Sequence, residues 1–367
     1  MAAGWPAKVN YATGDVLSAS NMNDIGGTLN LINPYTAGKN AIINGAFNVN
    51  QRAFSSTTTT NSYTFDRFLF EYTGGTVTLS SQTFTAGTAP VAGYEGKNFC
   101  RIVTSGQSAA GDYAGYFQKI ESVRTFAGQT VTFSLWAKAS SGTPLIGVSY
   151  EQNFGTGGSP STAVIGTTTT QAVTTSYVRY SFTLTIPSIA GKTLGTNGND
   201  FLSIRLFSSV GTTISALGYP AVGIQNVTID SWGWQVEAGS TATAFQTASG
   251  TIGGELALCQ RYYYRATTTD GYASMSNTGI GASTTVAKID LAMPVTMRVA
   301  PTAIDYSTVA AWDTVTITAA TSVTLDRVTN SYALLNVTCA SGLTQFRPYM
   351  VIANNSTSAY IGVSAEL

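Results

Sequence analysis

The stretch TVTFSLWAKA, Thr130 to Ala139, decides the architecture. Val131, Phe133, Leu135 and Ala137 alternate with Thr132, Ser134, Trp136 and Lys138, the period of two of an extended strand with one apolar and one polar face. Trp136 falls on the nominally polar face. From Asn40 to about Ala248 the same period recurs between clusters of Gly, Ser, Thr and Asn, in AIINGAFNVN, YTFDRFLFEY, TVTLSSQTF, NFCRIVTS, YAGYFQKIES, LIGVSYEQNF, YVRYSFTLTI, FLSIRLFSS and VTIDSWGWQV. Strands with hairpin-sized gaps and nothing persuasively helical predict a mainly β fold, an antiparallel sandwich of the jelly-roll kind over residues 40–250.

The segment GSTATAFQTASGTIGG, Gly239 to Gly254, has loop composition and places a boundary near residue 250. Period-two runs resume beyond it and predict a second antiparallel β domain over 251–367. In GGELALCQRYYYR, Gly253 to Arg265, a strand would put Leu256, Leu258, Gln260, Tyr262 and Tyr264 on one face and Ala257, Cys259, Arg261, Tyr263 and Arg265 on the other. It reads as the first strand of the second domain. Arg261, Tyr262, Tyr263 and Tyr264 are assigned to a subunit or domain interface, where amphipathic tyrosine and arginine are favoured.

Residues 1–39 lack strand periodicity. Met22, Ile25, Leu29 and Ile32 recur at spacings of three, four and three, a short a/d seam in a helical or extended anchor. Ser18 or Ser20 can cap such a helix, but Gly26 and Gly27 each cost about 1 kcal/mol relative to alanine. The helix needs a partner: its own domain, identical helices in a bundle, or another protein.

Only 10% of the 367 residues are charged, against about a quarter usually, and 18 basic side chains balance 18 acidic ones. Such a balance attracts neither nucleic acid nor anionic membrane, and it favours an oligomer that covers part of the surface. The absence of histidine excludes Ser-His-Asp and Cys-His nucleophilic catalysis and histidine-ligated zinc. Cys100, Cys259 and Cys339 form no CxxC pair and read as small buried hydrophobes. MAAGWPAKVNYATGDV has no signal-peptide pattern and no run is apolar enough to span a bilayer, which suggests synthesis in a cytosol.

Without histidine, paired carboxylates are the main remaining catalytic device. Asp66 beside Arg67 reads instead as a salt-bridged pair. Asp230 and Glu237, at an odd separation, fall on opposite faces of a regular strand and so do not make an acid/base pair, and no short coil-length repeat of a parallel β-helix appears; no enzyme is expected. Trp232 and Trp234 share a face and read as core. Sugar binding needs an aromatic face with amide, carboxylate and hydroxyl groups beside it. Trp136 and Tyr177 on polar faces, and Tyr150 near a strand end beside Glu151, Gln152 and Asn153, are the candidates. Asp230 and Asn44, on strands that tend to meet in jelly rolls, are candidate ligands for a structural calcium; no other cofactor is expected. NFGTGGSPSTAVIGTTTT lacks the lysine and following helix of a phosphate cradle and reads as a loop.

Taken in order, NAIINGAFNVNQR, YTFDRF, DSWGWQVEAGSTATAFQ, GGELALCQRYYYR and AYIGVSAEL resemble the adhesive portions of bacteriophage tail fibre and related virion proteins. YATGDVLSASNMNDI is similar to the segments that join such proteins to the particle. The resemblance implies a homotrimeric structural protein of the virion, assembled in the host cytoplasm. Its N-terminus would meet other tail or head proteins, and a jelly roll like a carbohydrate-binding module would recognise host surface polysaccharide without cleaving it. A capsid decoration or head fibre protein, and a glycan-depolymerising tailspike, are the alternatives.

Overall fold

The computed structural model describes residues 38–91 and 94–367. The seam of Met22, Ile25, Leu29 and Ile32 lies outside the described residues. The fold is mainly β, built of antiparallel sheets. One sheet of six strands runs in the order Ser56–Thr57, Thr76–Thr83, Asn98–Ser105, Thr228–Ala238, Thr130–Ala139, Val178–Thr185. A second of seven runs Gln171–Ala172, Leu145–Asn153, Phe201–Val210, Tyr113–Glu121, Phe68–Thr73, Ser62–Tyr63, with Val164–Thr167 also on Leu145–Asn153. From Tyr113 onward the long strands alternate between the two sheets, so sequence neighbours face each other across the core. This is the jelly-roll wrap.

The alternation read in Thr130–Ala139 sends Val131, Phe133, Leu135 and Ala137 inward, all fully buried. Trp234 stands at the centre, its ring 5.0 Å from Phe133, 4.9 Å from Tyr116 and 5.2 Å from Phe68. Its indole N–H donates to Ser231 Oγ at 3.1 Å, so the polar end is satisfied where the ring is buried.

Several sequence expectations are corrected. First, Trp232 and Trp234 do not share a face. Trp232 lies opposite Trp136 and Gln235 opposite Ser134, so the strand carries one extra residue, a bulge with Gly233 at φ +70°. Trp232 therefore turns outward against Trp136, at 5.6 Å between centroids, while Trp234 turns inward. The same bulge puts Asp230 and Glu237 on one face, as their register partners Lys138 and Thr132 show.

Second, AIINGAFNVN is a series of turns rather than a strand. Asn44 and Phe47 have positive φ, and side chains serve the backbone: Asn40 donates to Trp234 O at 2.9 Å, and Gln118 Oε1 accepts from Ile43 N–H at 2.8 Å. Third, GGELALCQRYYYR opens with a helix, Ile252–Gln260, and its strand starts only at Tyr263. Thr251 caps the helix by accepting from Gly254 N–H at 3.1 Å. Glu255, almost fully buried, accepts from Ser249 and Asn44 N–H, both at 2.7 Å. In YTFDRFLFEY a turn at 65–67 likewise separates two strands, and the loop expected in NFGTGGSPSTAVIGTTTT holds the strand Val164–Thr167.

Beyond the helix, Gly279–Gly281, Val286–Ala292, Tyr332–Cys339, Ile317–Val328, Val309–Trp312 and Pro348–Ala353 close a barrel around Ile289, Leu335, Val337 and Val351. Closure leaves no sheet edge to pair with another chain. Tyr263–Thr267, Tyr360–Ser364 and Ala303–Ser307 form a separate three-stranded sheet. Cys100, Cys259 and Cys339 are buried and free.

This C-terminal unit meets the sandwich through charge and aromatic faces. Arg67, 1% exposed, pairs with Glu366 and lies 3.4 Å over the Tyr262 ring; Arg52 lies 3.6 Å over Tyr263. Arg261 and the Tyr262 hydroxyl both donate to Glu121, at 2.7 and 3.0 Å. Asp66 and Arg67 thus have separate partners, since Asp66 pairs with Arg52 at 3.4 Å.

Candidate functional site

The outer face of the seven-stranded sheet carries the polar and aromatic side chains that strand parity turns away from the core. They are Glu71 from Phe68–Thr73, Tyr113, Phe117 and Lys119 from Tyr113–Glu121, and Ser203, Arg205 and Phe207 from Phe201–Val210. Arg205 is the hub. Its Nε donates to Ser203 Oγ at 3.0 Å, Nη2 donates to Glu151, Nη1 stands 3.9 Å from Glu71, and the guanidinium lies 4.4 Å from the Phe117 ring centroid. A planar cation held by two hydrogen bonds and two carboxylates in this way serves as a flat, fixed platform rather than a free charge.

The segment from Gly211 to Gly223 folds over this face. Gly147 makes the approach possible, because a Cβ there would stand 2.4 Å from Pro220. Tyr219 is thereby set against Phe207, 5.5 Å between ring centroids, and within 5.9 Å of Arg205. On one side of Tyr219 a cleft of 230 Å³ is lined by Glu71, Tyr113, Arg205, Phe207, Ile214 and Leu217. On the other, a groove of 490 Å³ is lined by Thr167 to Thr170, Thr212, Ser215 and Ala221. Burial pushes the Glu71 carboxyl up, with Arg205 and Lys119 pulling against it. Burial also raises the Tyr113 and Tyr219 hydroxyls, which stay protonated donors. Aromatic faces, a carboxylate and a row of hydroxyls are what a saccharide requires.

Residues 40–199 match the carbohydrate binding domain family. The match covers the sandwich up to the start of Phe201–Val210. No curated protein matches the chain. Among solved structures, the enzymatically active domain of bacteriophage CBA120 tailspike protein 4 aligns at 13% identity and TM-score 0.31, over 55% of this chain and 21% of that one. The CBM22-2 xylan-binding domain of Paenibacillus barcinonensis Xyn10C aligns at 12% and 0.30, over 47% and 92%. The Clostridium thermocellum endo-1,4-beta-D-xylanase 10B in complex with xylohexaose aligns at 12% and 0.29, over 49% and 28%. This chain thus spans about a fifth of the tailspike domain's length.

The aromatic residues singled out in the sequence lie elsewhere. Trp136 and Tyr177 share the outer face of the six-stranded sheet, where Arg179 lies 4.6 Å from the Trp136 ring and Lys138 lies 5.0 Å from Tyr177. Phe84, Phe99, Trp232 and Phe245 pack around them, so both are half-covered. Tyr150 points into the sandwich with Ile146 and Val148 and is 8% exposed. The three do not form one site. Asp230 is held by Arg101 through two bonds of 2.6 and 2.9 Å, and Asn44 by the Val49 backbone through bonds of 2.7 and 2.9 Å. The two share no partner, and among the described residues no group of three acidic or thiol side chains gathers to hold a metal ion. Arg261, Tyr262 and Tyr263 stand at the junction, and Tyr264 packs against the C-terminal core.

Sequence reading missed Glu71, Tyr113, Phe117, Arg205 and Tyr219 as a group. The signal was present in part: Tyr113, Phe117 and Lys119 alternate with buried Ala114, Tyr116 and Gln118 just as Trp136 does with its neighbours. Tyr219 had no such signal, because its position depends on the fold of a loop.

Proposed function

We propose that this chain is a glycan-binding adhesin of a phage virion, a trimeric tail fibre that holds host surface polysaccharide on the outer face of the seven-stranded sheet without cutting it. The observation that carries the reading is the carbohydrate binding domain match over residues 40–199, on the sandwich whose outer face bears the cleft beside Tyr219. The virion assignment is supported by the ordered fragments in the sequence. Several of them supply one junction: Asn44, Gln51, Arg52, Asp66 and Arg67 come from the first two, Glu255 to Arg265 from the fourth and Glu366 from the last. Retaining such fragments keeps two β units locked together.

Binding without cleavage fits the single carboxylate that lines the cleft, Glu71, while Glu151, outside the lining, pairs with the same Arg205. Purified protein incubated with host envelope polysaccharide is expected to be retained, with no release of reducing ends. Release abolished by Glu71→Gln would establish a depolymerase instead. Light scattering is expected to give three chains per particle. Removal of residues 1–39 is expected to leave the β units folded but absent from virions, and labelling of intact particles at the head would favour the head fibre reading.

A further inference from the structure

Phe207, Ile214 and Leu217 form one wall of the smaller cleft beside Tyr219, and we infer that this wall takes the methyl group of a neutral methyl-bearing pyranose, as found in 6-deoxyhexoses and N-acetylhexosamines. The inference rests on the glycan-binding reading above and names the class of sugar.

The 230 Å³ cleft is bounded by Phe207, Ile214 and Leu217, with the Tyr113 and Tyr219 rings. Phe207 is 4% exposed and belongs, with Val210 and Val222, to a small apolar cluster against which Ile214, Tyr113 and Tyr219 pack. A plain hexopyranose carries hydroxyls around its rim, and any of them pressed against this wall would lose water without gaining a partner. Arg205 is engaged at Nε by Ser203 and at Nη2 by Glu151, whereas Nη1 stands 3.9 Å from Glu71, beyond hydrogen-bond distance, so Nη1 and Glu71 are left to the sugar's own hydroxyls rather than to the group set against this wall. A methyl group has no such requirement. The groove that shares Tyr219 carries threonine and serine side chains, whose hydroxyls can pair with the hydroxyl-bearing remainder of the chain. Charge narrows the class further: Glu71 offsets Arg205 within the cleft, and an acidic sugar would be set beside Glu71 with Glu151 behind it.

The test uses the full chain and measures affinity for three soluble polymers: an unsubstituted hexan, a 6-deoxyhexose polymer and an N-acetylhexosamine polymer. One methyl-bearing polymer is expected to bind about tenfold tighter than the hexan, the lower end of what one such group is worth in an apolar pocket. Which of the two it is identifies the source of the methyl. Leu217, 62% exposed, can be changed without disturbing the core, and Leu217→Ser is expected to lower affinity for the preferred polymer more than for the hexan. Equal or tighter binding of the hexan would overturn the inference while leaving the glycan reading in place, as would an equal loss on all polymers in Leu217→Ser. Retention on none of the three, nor on host envelope polysaccharide, would sink both.

Discussion

Gly233 sits at φ +70° within the strand Thr228–Ala238, and a Cβ there would stand 2.8 Å from the Trp136 ring. A left-handed conformation costs an L-residue about 1–2 kcal/mol, and here the contact adds to it. Gly233→Ala is expected to lower stability by about 2 kcal/mol or more in urea denaturation. An unchanged midpoint would mean that the bulge can relax to a regular strand. Tyr219 operates at the same scale but on binding. Removing its ring deletes the surface common to both grooves, so Tyr219→Ala is expected to weaken glycan retention about tenfold, the loss of roughly 1.4 kcal/mol. Trp136→Ala serves as the comparison, since that residue lies on the other sheet; equal losses in the two variants would move the site.

The helix Ile252–Gln260 and the strand that follows it tie the two β units together with pairs of very different worth. Arg67 and Glu366 are both buried, with side chains 1% and 5% exposed. Truncating one partner leaves a buried charge alone, and Glu366→Ala is expected to cost about 3–5 kcal/mol. Arg261 and Glu121 are 37% and 39% exposed, so Arg261→Ala is expected to cost at most about 1 kcal/mol. Urea midpoints of the two variants check the order. Acid should act through the same junction. Partial burial pushes the Glu121 carboxyl up, but hydrogen bonds from Arg261 and Tyr262 overcome this and hold it below its ordinary value. Its contribution is then fully present above the free-glutamate value of about 4.3 and is lost as pH falls through the lower folded value. Asp66, raised by burial, acts in the opposite sense. Comparing wild type with Glu121→Gln isolates the first effect: the stability gap between them should hold above the free-glutamate value of about 4.3 and narrow as pH falls below it. A gap that stays constant would show that Glu121 is not held low.

At the scale of the whole molecule the determining property is charge. With 18 basic and 18 acidic residues and a cleft whose Arg205 is already paired, binding should owe little to long-range electrostatics. Retention on a neutral polysaccharide is expected to change less than twofold between about 0.05 and about 0.5 M salt, although the screening length falls severalfold over that range. A steep loss with salt would indicate an anionic ligand. If three chains bind together, apparent affinity exceeds that of one site by about 10²–10⁴-fold, and a monomeric variant should lose that factor.

The sequence by itself determined that the chain is mainly β and where most long strands lie. In Thr130–Ala139, Asn98–Ser105, Val178–Thr185 and Tyr332–Cys339 the period-two pattern is local, and burial of one face enforces it. It also placed Trp136 outward. Only the tertiary structure decided the rest. One extra residue at Gly233 reverses every side chain beyond it, and its register comes from the neighbouring strand rather than from its own residues. The helix at Ile252 forms despite two glycines because Glu255, a polar residue in its first turn, is satisfied by Asn44, 211 positions away. Glu71, Tyr113, Arg205 and Tyr219 become one site because strand order and a folded-over loop bring them together, and neither is written in a local period. Periodicity reports which face a residue takes on its own strand; which strands stand side by side is a property of the assembled sheet.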